Sequence, residues 1–152
     1  MKQLIFHIGQ DRYGLRLRSI VRVLPLLELK QLPLAPDAVA GLMDFHGRSV
    51  PVIDLCRMSG AAPASEHFDT RIVVVDYKAP DGASHLLGLL AERVLGVQDV
   101  DSDALVDSGV RAALFLGQVA SDKDGIVQLV ELEHLLPEAL RAILFQPEHR
   151  PS

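Results

Sequence analysis

The feature that most constrains this chain is the shortness of its apolar stretches, which glycine or proline interrupts throughout. Eleven glycines and nine prolines occur among 152 residues. Apolar and polar residues alternate over 3–17, with turn residues at 9–12, and this pattern predicts a β-hairpin. The β-branched residues Ile20, Val21 and Val23 predict a third strand. Short strands at this spacing predict a mainly β fold, either a barrel or a sandwich.

The middle of the chain continues this pattern. A strand-like stretch begins at Gly41 and ends at a turn over residues 45–48. The strand after it carries Pro51, which has no amide hydrogen to donate and therefore predicts an edge strand or a bulge. Small and polar residues over 59–69 form the best candidate linker. The apolar run 72–75 predicts a buried strand.

Near its C-terminal end the chain changes to helical spacing. Apolar residues recur every three or four positions, at Leu132, Leu135, Leu136, Leu140 and Ile143. Pro137 interrupts this stripe, because proline disfavours a helical residue before it and suits the first position of a new helix. We therefore expect two short helical pieces.

The two halves of the chain share a spacing of glycine and valine. Gly14 precedes Val23 by nine residues, and Gly88 precedes Val97 by nine residues. Common residue types also agree in this way by chance, so the spacing leaves both a duplication and a coincidence open.

The length fits one domain or one duplicated domain. We expect a single domain over residues 1–146, made of two intertwined β subdomains at about 14–58 and 72–130. The tail over 147–152 is expected to be loose.

Composition argues against several classes of protein. The formal net charge is −5 and the fifteen lysines and arginines are scattered, which argues against a nucleic-acid binder. No apolar run approaches the ~18 residues of a spanning helix, and the N-terminus lacks the core of a signal peptide. We therefore expect a cytoplasmic protein that does not insert into a membrane. A single cysteine, Cys56, fits a reducing compartment.

Residues that carry chemistry form no catalytic or metal-binding pattern. None of the six histidines has a second histidine or a cysteine at ligand spacing. Asp99, Asp101 and Asp103 have the spacing of a calcium loop, but Ala104 stands where that loop needs glycine and Val110 where it needs glutamate. No phosphate-binding loop or serine nucleophile motif occurs. We expect a binding module without catalysis, cofactor or metal.

Four stretches are specific in their order and spacing. They are residues 4–9 with Tyr13 and Gly14, residues 20–23, residues 36–55, and residues 88–97. The most specific part is Pro-Val-Ile-Asp-Leu at 51–55, which follows a glycine turn. Together the four stretches resemble the CheW-like adaptors of bacterial chemosensory systems, and the resemblance runs from about Leu4 to Leu136.

The resemblance implies a fold and a role. The fold is two packed, five-stranded SH3-like β-barrels with a short C-terminal helix. The role is a non-catalytic scaffold that couples the cytoplasmic tip of a chemoreceptor to the regulatory domain of a CheA-type histidine kinase. Residues 23–26 and 89–92 are also similar to accessory adaptors of Wsp-type surface-sensing systems.

The family's Asn-x-Arg-Gly signature corresponds to residues 44–47 of this chain, which differ from it at two positions. Gly41 matches the glycine before the family's strand, and Gly47 matches the turn glycine. Asp44 stands in place of the asparagine, and His46 in place of the arginine that contacts partners. Arg48 replaces that arginine only if the turn aims it in the same direction, because histidine lacks the always-charged fork of arginine. The plain alternative is that this segment is only a hairpin turn.

A second group of candidate partner-binding residues lies on the predicted third strand. Ile20 matches an apolar position near the kinase-contact face, and Arg22 stands where the family usually has an acid. Core packing is the favoured alternative for Ile20 and Val23, whereas Arg22 is expected to be exposed.

Two other functions stay open at this stage. One is a small β-barrel that binds a soluble ligand in a pocket between its two halves. The other is an enzyme whose site is too scattered to recognise in one sequence. Filled interiors with apolar residues on outer faces favour the adaptor, whereas an enclosed pocket favours the ligand binder.

Overall fold

The computed structural model of the chain describes residues 1–60, 64, 70–109 and 115–145. The strands in these ranges are β1 (Lys2–Ile8), β2 (Asp11–Arg16), β3 (Ile20–Pro25), β4 (Val39–Phe45), β5 (Arg48–Asp54), β6 (Arg71–Lys78), β7 (Ser84–Asp99), β8 (Leu116–Asp122) and β9 (Gly125–Val130). The helices are α1 (Leu55–Met58) and α2 (Glu138–Leu144), and short 3-10 turns lie at Leu17–Ser19, Ser102–Ala104 and Leu132–His134. The mainly β fold predicted from the sequence is confirmed.

The strands pair into two barrels that share the long strand β7. In the first barrel the order is β3, β6, the beginning of β7, β5 and β4. In the second barrel the order is the end of β7, β1, β2, β9 and β8. Each barrel has five strands when β7 is counted in both, so the two-barrel architecture is confirmed.

The two barrels have the same pairing order, and each contains one parallel pair at the equivalent place. This pair is β7 with β5 in the first barrel and β2 with β9 in the second. Gly88 and Gly14 lie in these pairs. The barrels do not coincide with the ranges 14–58 and 72–130, because β1 and β2 join the second barrel together with β8 and β9. The division into repeated halves stays a prediction.

Strand β6 separates two apolar layers, and this explains why its central run is apolar on both faces. Ile72 and Val74 point into the interior of the first barrel, where they pack with residues of β4 and β5. Val73, Val75 and Tyr77 point the other way and pack with residues of both barrels. All five side chains are buried. The strand predicted to be buried over 72–75 is confirmed.

A polar cluster links three strands of the second barrel. Both terminal nitrogens of Arg12 donate to the carboxylate of Asp122 at 2.9 Å, and the amide of Gln98 donates to the same carboxylate at 2.9 Å. The hydrogen bond from Arg12, followed by that from Gln98, holds the pKa of Asp122 well below its ordinary value. The cluster joins β2, β7 and the end of β8.

Strand β3 differs from the sequence prediction in its side-chain directions. The prediction of a third strand is correct, but the pairing with β6 shifts between Ile20 and Arg22, so Val21 is an extra residue in the strand. Ile20 is half-buried and packs against the core between the barrels. Val23, predicted to pack in the core, is 40% exposed. That prediction is wrong because the alternation is interrupted on an edge strand.

Strand β5 also differs from its prediction. Pro51 predicted an edge strand or a bulge, yet β5 has β4 on one side and β7 on the other. Proline is tolerated because the pairing with β7 begins only at Val52. An irregularity does occur in the partner strand, between Val39 and Gly41.

The C-terminal prediction is confirmed. A 3-10 turn at Leu132–His134 and helix α2 are separate pieces, with Pro137 at the N-cap of α2. None of the helices in the described ranges has the length and hydropathy of a membrane-spanning segment. Most of the predicted linker and the predicted loose tail lie outside the described residues.

Candidate functional site

The hairpin between β4 and β5 ends in a tight two-residue turn. Phe45 pairs with Arg48, which leaves His46 and Gly47 as the turn residues. Both have positive φ, 51° and 81° respectively, the pattern of a type I′ turn. Histidine is one of the few side chains enriched in this conformation, and glycine adopts it without strain. The predicted hairpin turn is therefore present.

Asp44 stabilises this turn through its side chain. Its Oδ1 accepts a hydrogen bond of 2.8 Å from the backbone amide of Gly47. The carboxylate thus does locally what an asparagine oxygen would do in the family's signature. His46 and Arg48 are exposed on either side of Gly47, and the His46 ring meets the Phe45 ring edge-on at 4.5 Å between centroids.

Gly41 has a packing role in the first barrel. It is buried at φ 150°, and a Cβ there would lie 2.5 Å from the carbonyl oxygen of Lys30. The segment before β4 crosses at this point, held by paired backbone hydrogen bonds between Lys30 and Leu42. Any larger residue at 41 would therefore displace this segment.

Strand β3 exposes apolar and cationic side chains, and Arg22 and Val23 lie on opposite faces of the strand because they pair with Val74 and Val73 of β6 respectively. Arg22 is exposed, as predicted. Val21 and Val23 on either side of it are 49% and 40% exposed. Among the strands of the described residues, β3 pairs with β6 alone and lies at the edge of the pairing order, so its other side is open to a partner.

The candidate residues lie in two separate groups in the structure. Ile20 and Arg22 lie on β3, at one end of the first barrel's pairing order, whereas the tip of the β4–β5 hairpin lies at the other end. Within the described ranges, no hydrogen bond or ion pair joins Arg22 to the hairpin tip.

Sequence reasoning missed Leu34. Its side chain is fully exposed, and its φ is 63°. Two prolines, Pro33 and Pro36, flank it closely and restrict the backbone. The only available signal was this proline spacing, because an exposed leucine has no pattern of its own.

The sequence matches the family model described as the CheW-like domain over residues 2–140. The chain belongs to the CheW-like domain family. The match includes both barrels and the start of α2, and it agrees with the resemblance seen in the sequence. Proteins of this family are non-catalytic scaffolds of chemotaxis-type signalling.

Individual relatives are distant. The chain is 28% identical to Protein FrzA of Myxococcus xanthus, over 88% of this chain and 84% of that protein. It is 24% identical to a probable chemotaxis protein CheW of Rhizobium etli, over 88% and 85%. The chemotaxis protein CheW of Klebsiella aerogenes is 26% identical over 60% of this chain, and the match spans 58% of that protein's length.

A solved structure confirms the fold. The crystal structure of the scaffolding protein TtCheW from Thermoanaerobacter tengcongensis superposes with a TM-score of 0.79, over 91% of this chain and 89% of that one, at 21% identity. At this identity the likeness concerns the fold.

The alternative function, a protein that binds a soluble ligand in a pocket between its two halves, can be compared with the cavities of this CheW-like domain. A cleft of about 380 Å³ does lie where the barrels meet, and its lining is polar: Arg18, Ser19, Asp76, Lys78 and Glu133 line it together with Leu132. The barrel interior and the core between the barrels are instead occupied by buried side chains. In the described part of the chain, no three His, Cys, Asp or Glu side chains group as metal ligands would.

Cys56 is expected to be unreactive in the folded protein. It is buried, and its Sγ donates to Glu92 Oε1 at 3.0 Å. Burial, and then this hydrogen bond, raise the pKa of the Cys56 thiol well above its ordinary value. Because the thiolate is the reactive form, we expect a disulfide reagent at pH 8 to react with the native protein at least ~100-fold more slowly than with the unfolded protein. Equal rates with and without denaturant would contradict this.

Proposed function

We propose that this protein is an adaptor that couples the cytoplasmic tip of a chemoreceptor to the regulatory domain of a CheA-type histidine kinase. The observation that carries the proposal is the family match over residues 2–140. The relatives whose names include chemotaxis, and the scaffolding protein with the same fold, support it. Each of the two partners is a protein surface, so the adaptor needs exposed contact residues rather than an enclosed pocket.

The surfaces of the first barrel support this role. Val21 and Val23 supply exposed apolar area on the edge strand β3, and Arg22 adds a cation on the face opposite to that of Val23. Protein interfaces commonly combine such apolar anchors with arginine. The hairpin tip supplies a second, polar contact region with Asp44, His46, Gly47 and Arg48, and Gly41 fixes the segment beside it. Ile20 supports β3 from the core side.

Departures from the family's usual residues on β3 and in the hairpin turn point to a dedicated partner pair. Arg22 in place of an acid and His46 in place of arginine change the charges that a partner meets. Charged groups at an interface govern specificity more than affinity. The protein therefore serves one pathway whose kinase and receptor carry matching changes, and a Wsp-type accessory role is one such pathway.

Calorimetric titration against the regulatory domain of the histidine kinase encoded beside this protein tests the proposal. We expect binding in the micromolar range, about −8 kcal/mol. Arg22→Glu should weaken binding about tenfold or more, because it places a like charge opposite a partner group that favours a cation. The matched control is Lys123→Glu, the same charge reversal at the exposed β8–β9 turn of the second barrel, which should leave affinity unchanged.

Two results would contradict the proposal. One is a clean absence of binding to both the kinase domain and the receptor tip, which would leave a CheW-like fold with another use. The other is an equal loss in the Arg22 and Lys123 variants, which would show that only net charge matters.

A further inference from the structure

Helix α2 is the last described element of the chain, and little in its own sequence stabilises it. It has seven residues, and an isolated helix this short is unstable in water. Pro137 is its N-cap residue, and no side chain in the described part of the chain caps it. Leu140 is its buried side chain, whereas Ile143 is 47% exposed. The helix therefore depends on contacts with the rest of the molecule.

Two clefts border α2 and limit those contacts. The larger has a volume of about 450 Å³ and the smaller about 300 Å³. Glu138 and Arg141 line both clefts, so α2 divides them. The apolar lining of the larger cleft consists of Met58, Phe115, Leu135, Leu136 and Pro137. The helix thus covers apolar side chains of the core while space remains along its flanks.

Phe145, which follows α2 directly, fastens the end of this segment to the first barrel. Its ring stacks on that of His85, with centroids 4.2 Å apart and planes at 12°, and on that of Tyr77 at 5.6 Å and 20°. Tyr77 and His85 are opposite each other in the pairing of β6 with β7. Because α2 follows β9 of the second barrel, these ring contacts join the end of that barrel's chain to a hairpin of the first.

The closed position of Phe145 has a cost at Tyr77. The Tyr77 side chain is fully buried, and its hydroxyl has no hydrogen-bond partner among the described residues. Burial of a hydroxyl without a partner is unfavourable, and this free energy is recovered when water reaches the group. Since Phe145 covers one side of the Tyr77 ring, its departure lets water approach. This brings the closed and open states closer in free energy.

The polar contacts of α2 hold the segment together rather than to the barrels. Arg141 Nη1 donates to the carbonyl oxygen of Leu136 at 2.9 Å. The backbone amides of Arg141 and Phe145 donate to the carbonyl oxygens of Pro137 and Arg141, each at 2.9 Å. The side chains that pack against the core are those of Leu140, Leu144 and Phe145. The segment can therefore leave the core without losing its own hydrogen bonds.

We infer that residues 138–145 form a strap that opens and closes as one unit on the folded protein, and that the Phe145 ring is the catch that keeps it closed. The open strap exposes Tyr77 and His85 and joins the two clefts into one apolar surface. Local opening of this kind needs less free energy than unfolding of the whole chain. It is a property of the free protein and does not depend on the proposed adaptor function.

Hydrogen exchange of the full chain, followed amide by amide with NMR, measures the opening. After correction for intrinsic rates, we expect amides 141–144 to exchange at least ~100-fold faster than amides 73–75 of β6. Their rates should be nearly independent of low denaturant concentrations, because strap opening exposes little surface. If the amides of α2 exchange as slowly as those of β6, with the same denaturant dependence, the helix opens only in global unfolding and the inference is overturned.

Phe145→Ala tests the catch. Phe145 is the C-cap residue of α2, so its replacement removes ring contacts and changes helix propensity little. We expect the exchange of amides 141–144 to rise about tenfold, with the amides of β6 unchanged. The matched control is Ile143→Ala, which removes an exposed side chain from the same helix and should make exchange no faster. Equal acceleration in both variants, or none in Phe145→Ala, overturns the role of Phe145.

Phe145→Trp supplies a second readout, because the chain contains no tryptophan. The smaller cleft, which Phe145 lines, leaves room for the larger ring. An indole stacked on Tyr77 and His85 should emit at a shorter wavelength than in the unfolded protein, and exchange in α2 should stay slow. Adding His85→Ala should shift the emission toward that of an exposed indole. Emission from Phe145→Trp like that of the unfolded protein would show that no catch holds the segment, and would overturn the inference.

Discussion

Gly88→Ala is expected to lower the free energy of unfolding by about 1–3 kcal/mol, the usual cost of overpacking a filled core. Gly88 lies on β7 and faces the interior of the first barrel. A Cβ there would lie 2.9 Å from Val52 Cγ2, 3.2 Å from Ile72 Cγ2 and 3.4 Å from Met43 Cε. The methionine end can move, but the two β-branched side chains are buried and stiff at χ1. The glycine is needed for space rather than for backbone freedom.

Denaturant unfolding followed by circular dichroism measures this loss. The matched variant is Gly88→Ala combined with Val52→Ala, which removes the methyl group closest to the new Cβ. The double variant should be less destabilised than the sum of the two single variants, because the clash is gone. Strictly additive losses would show that space at Gly88 is not limiting.

Asp54→Ala is expected to cost about 2–4 kcal/mol, from the loss of a helix cap and the exposure of unpaired donors in a buried place. Asp54 is only 3% exposed. Its Oδ1 accepts from the amides of Cys56 at 2.9 Å and Arg57 at 3.4 Å, where it caps α1. Its Oδ2 accepts from the amide of Ala64 at 2.9 Å. One carboxylate therefore holds both the start of α1 and the chain beyond it.

Asp54→Asn is the informative control. Its oxygen keeps the cap on α1, but its amide nitrogen would face the donor of Ala64, so an intermediate loss is expected. Thermal and denaturant unfolding of the three proteins measure the series. An alanine variant as stable as the unmodified protein would refute this account of Asp54. Partner affinity per folded molecule should be unchanged, since Asp54 is buried.

The buried position of Asp54 shows how a motif can identify a family without marking its contact surface. The run at 51–55 was the most specific part of the resemblance, yet Val52, Ile53 and Asp54 are all buried. Their spacing is set by barrel packing and by the cap on α1. The residues that differ from the family's signature, Asp44 and His46, are the exposed ones.

Local structure could be predicted from the sequence because its causes are local. Alternation predicted the first hairpin, now β1 and β2, and Pro137 predicted the break before α2. The turn at His46 and Gly47 followed from glycine geometry. The exposure of Val23 could not be predicted in this way, because the bulge at Val21 depends on how β3 pairs with β6.

Intertwined subdomains were expected, but the strands that they exchange depend on long-range pairing, and so the place of β1 and β2 in the second barrel could not be predicted from spacing. In the sequence, the residues of β7 look like two separate apolar runs, but in the structure they form one continuous strand. The register of its pairing with β1 shifts near the point where β7 passes from one barrel to the other. Leu34 was missed for a related reason, because its exposure follows from the path of a whole segment.

The sharing of strands also determines when each strand can pair with its neighbours during synthesis. β1 pairs with the end of β7, and β2 pairs with β9, which finishes at Val130. At about 5–20 residues per second, β2 waits on the order of ten seconds for that neighbour. During this time the nascent chain carries unpaired strand edges, which attract other chains. We therefore expect the nascent chain to depend on ribosome-associated chaperones until the last strand arrives, and slowing translation after residue 100 should lengthen that dependence.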